Sequence, residues 1–177
     1  ILRFANGKTV EIVNTDAEGR LLLADALIAA SREKPEAMVS VSTLTGAMVA
    51  ALGDHFAGLL CRSHKLGAAL LAAAERTRER LWQMPLHDGY RDDIRSPVAD
   101  LKNANYHGAS ALKAGLFLEE FAGKVPFAHL DIAGTAFLSK SNRLLREGAT
   151  GYGVRLLVDY LQAASQETTA PGTRYKG

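Results

Sequence analysis

One cysteine in 177 residues, Cys61, leaves this chain without a disulfide framework and without a cysteine-rich metal site. That scarcity favours an intracellular protein, and the expected location is cytoplasmic. Long apolar runs are missing as well. None reaches the roughly 20 residues that cross a bilayer, and the first residues lack the charged-then-apolar pattern of a leader, so no membrane association is expected. Excess charge of one sign is also missing: 21 Lys and Arg against 19 Asp and Glu leave a formal +2. Nothing electrostatic therefore favours nucleic acid or a lipid surface. The five histidines include no close i,i+4 pair of the kind that seats zinc on a helix. Ser42, Ser110 and Cys61 lack a nucleophile context such as G-x-S-x-G. "NGKT" (6–9) ends like a phosphate-binding loop, but Leu2 stands where the earlier glycine belongs. No internal repeat or low-complexity segment is visible.

What is there is a globular composition, 47% hydrophobic and 23% charged, in a chain long enough for one domain with a sizeable core. "KTVEIVN" (8–14) alternates and is β-branched, predicting a strand after the "NG" turn of a hairpin. "GRLLLADALIAASR" (19–32) is apolar around most of its circumference, predicting a helix buried between layers, with Asp25 buried and hydrogen-bonded within it. Strands are predicted at 37–44, 55–62 and 126–134, and helices at 45–52, 65–82, 110–123 and 152–164. Residues 83–108 read as a long irregular connection, and 165–177 as a polar, frayed tail. Within the helix at 65–82, "ERTRER" (75–80) reads as a solvated face. His129 and Asp131 alternate on one strand, predicting a satisfied structural pair. The expected fold is α/β, a three-layer sandwich of helices around a mixed, largely parallel sheet. In such sheets ligands gather beyond the carboxyl ends of strands, which places the loops at 14–20 and 43–46 on one rim.

The first of these loops, in "VNTDAEGRLLLADALIAA" (13–30), sets Asp16, Glu18 and Arg20 at alternate positions before an apolar helix. If extended backbone persists through it, the three side chains face one way and the small residues Thr15, Ala17 and Gly19 face the other. Two carboxylates held close repel unless a cation neutralises them, and oxygen ligands suit a divalent ion. Arg20 in the first helical turn adds an anion seat. Acidic residues ahead of a helix also serve as ordinary caps and dipole partners, and spacing alone favours that reading.

The motif "NTDAEGR" resembles the signature of the leucyl (cytosol) aminopeptidase family. "GKTVEIVNTDAEGR", "STLTGAMVAALG", "WQMPL", "SPVADLKN", "AGLFLEEF", "HLDIAGTA" and "GATGYGVRLL" follow in the family's order and spacing across nearly the whole chain. The resemblance implies a hydrolase that removes N-terminal residues from peptides with two divalent metal ions, Zn2+ or Mn2+. It implies that Asp16 binds one metal and Glu18 bridges both. It implies that Arg20 holds a bicarbonate ion that accepts the proton of the attacking water, or stabilises the tetrahedral intermediate. The Leu44 backbone would contact bicarbonate and the substrate's main chain. Thr43, Gly46 and Ala133 would line the pocket for the first side chain.

In the family, a lysine and two aspartates that complete the metal site, and a second active-site lysine, precede this motif; Ile1 follows them all. Residues 1–177 are therefore expected to be the C-terminal part of a catalytic domain, without the family's N-terminal domain, binding metal weakly and showing negligible activity alone. Family members form hexamers, so the intact protein is expected to be a homo-oligomer. The alternative reading is a non-catalytic oligomerisation module. DNA binding, reported for some members, is disfavoured by the near-neutral charge.

Overall fold

The computed structural model describes residues 1–141 and 146–169. Two strands open the chain, β1 (Leu2–Arg3) and β2 (Thr9–Glu11), paired antiparallel through the predicted hairpin. There follow α1 (Gly19–Arg32), β3 (Met38–Ser42), α2 (Gly46–Leu52), β4 (Ala57–Cys61), α3 (His64–Thr77) and β5 (Leu81–Gln83). Next come 3-10 turns at Asp88–Tyr90 and Asp92–Ile94, then β6 (Leu101–Lys102), α4 (Ser110–Glu119) and β7 (Phe127–Asp131). A small pair, β8 (Phe137–Leu138) and β9 (Gly148–Ala149), precedes α5 (Val154–Thr169).

The α/β class is borne out. The central sheet has the order β3-β7-β4-β5 and mixes directions: β3 runs parallel to β7, β4 antiparallel to β7 and parallel to β5. A second sheet, β1-β2-β6, adds one antiparallel and one parallel pairing. Strand alternation sends side chains to both faces of the central sheet. Leu59, Cys61, Ala128 and Leu130 pack with Leu66, Leu70 and Leu156 from α3 and α5. Leu60 packs on the other face with Met48 of α2 and Ala111 and Leu112 of α4. A third cluster, including Val10, Leu27, Ile28, Leu116 and Phe117, joins α1 and α4 to the hairpin sheet. Helices cover both faces, as a three-layer arrangement requires.

Two glycines permit the closest approaches. A Cβ on Gly58 would stand 2.4 Å from Met48 Sδ, and one on Gly134 would stand 2.0 Å from the carbonyl oxygen of Gly53. Gly134 thus lets the segment after β7 lie against the turn between α2 and β4.

Several expected boundaries move. β2 ends at Glu11 because the next amides turn to Asn103, described below. The helix expected over 65–82 stops at Thr77, where Arg78 takes a left-handed conformation (φ 61°) and Leu81 enters the sheet beside β4. Glu79 is not part of a solvated face: it is 4% exposed and accepts from the backbone N–H groups of Gly153 and Leu156 at the start of α5. Residues 165–169 are helical rather than frayed, because α5 runs on to Thr169; residues 170–177 lie outside the described residues. α1 is buried on one side only, through Ala24, Leu27 and Ile28. Leu22 is 70% exposed, and Asp25, on the same outer face, is exposed rather than buried.

His129 lies at the centre of the sheet with no exposed surface. Its Nδ1 is 2.7 Å from Ser40 Oγ, and its Nε2 has no partner among the described residues. It does not pair with Asp131; each makes its own contacts. Burial lowers its pKa from 6.5 to about 4. The unfolded chain therefore binds a proton that the folded chain refuses. Stability from this group is fully present above pH 6.5 and is lost as pH falls toward 4, by up to about 3 kcal/mol. Urea denaturation at stepped pH values is expected to show that loss, and His129→Gln to remove it.

Candidate active site

The loop between β2 and α1 is built around one buried amide. Asn103, just past β6, has no exposed surface. Its Oδ1 accepts from the N–H groups of Val13 (2.9 Å) and Asn14 (3.3 Å), and its Nδ2 donates to the carbonyls of Asn14 (2.6 Å) and Ala17 (3.4 Å). Asn14 then folds its own Oδ1 onto the Asp16 N–H at 2.9 Å, an Asx turn. The extended backbone expected across 14–18 is not found. A turn at Thr15–Asp16 replaces it, and Glu18 is the N-cap of α1 in helical conformation (φ −76°, ψ −36°). Strand alternation therefore does not align the two carboxylates.

The capping alternative fares no better, since Glu18 makes no side-chain cap bond. Asp16 and Glu18 are both exposed, and neither carboxylate has a hydrogen-bond or ion-pair partner among the described residues. Among the described residues, no group of three or more His, Cys, Asp or Glu side chains gathers there to complete a metal site.

Arg20 is only 8% exposed. Its Nη1 donates to the Asn103 carbonyl at 2.8 Å, while its Nε is buried with no acceptor among the described residues. Burial lowers its pKa, and the charge of Asp131 opposes that shift. A guanidinium stays protonated even so.

Asp131, at the carboxyl end of β7, organises the second corner. Its Oδ1 accepts from the N–H groups of Leu44 (3.1 Å) and Ala133 (3.2 Å), and its Oδ2 accepts from Thr45 Oγ1 (2.8 Å). Thr45 in turn caps α2 by accepting from the Met48 N–H. Burial pushes the Asp131 carboxyl above its ordinary range, and these three donors work against that shift. The two corners meet: a Cβ on Gly19 would stand 3.6 Å from Leu44 Cδ1.

Of the residues predicted for the site, Leu44 and Ala133 are brought together by Asp131, with Arg20 alongside. Thr43 and Gly46 are exposed, and beyond its chain neighbours and its own helix backbone nothing lies within 4 Å of where a Gly46 Cβ would stand. The Leu44 N–H is already committed to Asp131. Sequence reasoning gave Asn103 no role, although it closes the quoted "SPVADLKN", and it took Asp131 only as a partner of His129. Neither carries a local signal, because all their side-chain contacts except the Ala133 N–H lie about 85–90 residues away in the chain. A cavity of about 800 Å3 near α3 and α5 is lined by residues such as Phe56, Arg80 and Tyr152, and by none of those predicted for the site.

The model of the cytosol aminopeptidase family, catalytic domain, matches residues 1–158. The chain belongs to this family. A probable cytosol aminopeptidase of Geotalea uraniireducens (strain Rf4) is 50% identical over 162 residues, which is 92% of this chain and 33% of that protein. The chain thus spans about a third of the length of the curated relatives it matches. Among solved structures it is similar to the bottromycin maturation enzyme BotP in complex with Mn, with TM-score 0.88 and 41% identity over 92% of this chain and 37% of that one. It is similar also to a K354E mutant of tomato leucine aminopeptidase, with TM-score 0.85 and 41% identity over 89% of this chain and 31% of that one. No helix among the described residues is long and apolar enough to cross a membrane.

In this cytosol aminopeptidase domain, Asp131→Ala strands three donors and is expected to cost roughly 3 kcal/mol, whereas Asp131→Asn keeps an acceptor and costs about 1 kcal/mol. Chemical denaturation of both variants measures the difference; equal losses would show that charge rather than acceptance matters at this position.

Proposed function

We propose that this chain is the C-terminal part of the catalytic domain of a metal-dependent aminopeptidase that removes leucine and similar N-terminal residues from peptides. Arg20 carries the reading. A buried cation with an unmet donor, in the first turn of a helix, is a seat for a small anion. Bicarbonate is the anion proposed.

Asp16 and Glu18 fit divalent metal as exposed oxygen donors without a competing cation. They would form part of a ligand set, Asp16 for one ion and Glu18 for both, with the remaining ligands supplied by other residues of a family-length protein. Mn2+ or Zn2+ is proposed, Mn2+ having the support of the BotP complex. When bound, such ions polarise a scissile carbonyl and lower the pKa of water. The chain's own residues do the rest. Arg20 would hold that anion, which would supply a proton acceptor beside the attacking water, and its guanidinium would lie where negative charge develops. The Leu44 main chain orients the peptide. Thr43, Gly46 and Ala133 border the first side chain, with open space beside Gly46. Asp131 keeps the Leu44 and Ala133 walls in register.

One observation favours a role in assembly. Val154, Val158 and Leu161 are 62%, 50% and 62% exposed at helical spacing on α5, an apolar stripe suited to another subunit. The intact protein is accordingly proposed to be a homo-oligomer, a hexamer, in the cytoplasm; the alternative is that residues 1–177 serve only in oligomerisation. Light scattering that finds a clean monomer for 1–177 counts against that alternative.

In the family-length protein carrying this chain, Asp16→Ala is expected to remove about one metal equivalent by elemental analysis and to lower leucine-amide hydrolysis at least ~100-fold. Unchanged metal content would sink the ligand role. Isolated 1–177 is expected to release negligible leucine; robust release would show that it needs no upstream residues.

A further inference from the structure

Asn103 is the most fully committed polar side chain of the corner. An amide offers two lone pairs and two hydrogens. Val13 and Asn14 take the first pair, and the carbonyls of Asn14 and Ala17 take the second. Its backbone is used too: the N–H donates to the Glu11 carbonyl at 3.0 Å, and the carbonyl accepts from Arg20 Nη1 at 2.8 Å. With no exposed surface, water cannot take over any of these bonds. One residue therefore fixes, through its side chain, the backbone that carries Asp16 and leads to Glu18, and, through its main chain, the guanidinium of Arg20.

The segments on either side of Asn103 are held in turn. Lys113 of α4, 2% exposed, reaches the Asp93 carboxylate at 2.7 Å, Asn105 Oδ1 at 3.3 Å and the His107 carbonyl. Asn105 Nδ2 returns a bond to the Asp93 carbonyl at 2.7 Å. Tyr106 donates its hydroxyl to the Val13 carbonyl at 3.2 Å, a second hold on the same loop. The long connection 83–108 is thus an anchored template along 93–107.

We propose that Asn103 is a positioning residue, latched by Lys113, that fixes the two carboxylates and Arg20 in one relation, so that metal corner and anion corner move as a unit. This rests on the reading of Asp16, Glu18 and Arg20 given above. A misplacement of about 1 Å at such a site costs about 100-fold in rate. Asn103→Asp is isosteric and keeps the accepted bonds, but it sets a carboxylate oxygen against the carbonyls of Asn14 and Ala17.

The test uses the family-length protein with leucine amide and saturating Mn2+. Asn103→Asp is expected to lower kcat per folded molecule about 100-fold with KM within about threefold, keeping the parental circular dichroism spectrum but melting at a lower temperature. A residue that served folding alone would leave kcat per folded molecule unchanged, and that result overturns the proposal. If Asn103→Asp does not fold, Lys113→Met releases the template from behind and is expected to lower kcat about 10-fold at constant KM; a parental kcat there overturns the proposal equally. A parent protein with no Mn2+-dependent hydrolysis would sink the aminopeptidase reading first and this proposal with it. Normal parental activity beside a fully active variant sinks only the role of Asn103.

Discussion

Backbone amides and carbonyls that leave a strand must find partners once water is excluded, and at the rim of this domain two buried side chains supply them. Asn103 takes up the loop that follows β2, and Asp131 takes up the loops that follow β3 and β7. Each side chain is wholly buried, so the bonds it makes have no aqueous substitute. The positions of Arg20, Leu44 and Ala133 follow from these two anchors.

The electrostatics of the corner follow from the same arrangement. Arg20 is drawn inward by the Asn103 carbonyl and faces the field of Asp131, while Asp16 and Glu18 are left outward and without counter-charge among the described residues. A buried cation whose Nε has no acceptor among the described residues, following two exposed and unneutralised carboxylates in the chain, is a segment short of partners. Ligands of both signs would balance it, an anion at the guanidinium and a cation at the carboxylates.

Much of the architecture was legible because it depends on local pattern. β-branched alternation marks β2 and β3, the Leu/Ala-rich run marks α1, and glycine and proline mark the breaks. The misplacements share a cause. Arg78 in a left-handed conformation ends α3 where charge periodicity continued, and Glu79 turns inward because α5, more than seventy residues on, presents its free amides. Asp25 faces outward because α1 packs on one side alone. In the site, the Asx turn of Asn14 displaced the extended backbone that alternation suggested.

Residue order alone determined the family, the helix-and-strand succession and the short list of chemically capable groups, because motif identity and hydrophobic period are properties of neighbours in the chain. Tertiary structure decided which of those groups are buried, which are paired and which are left with unmet valence. Asn103 and Asp131 acquire their roles only when segments some ninety residues apart are packed together and deprived of water, and no local pattern encodes where that exclusion falls.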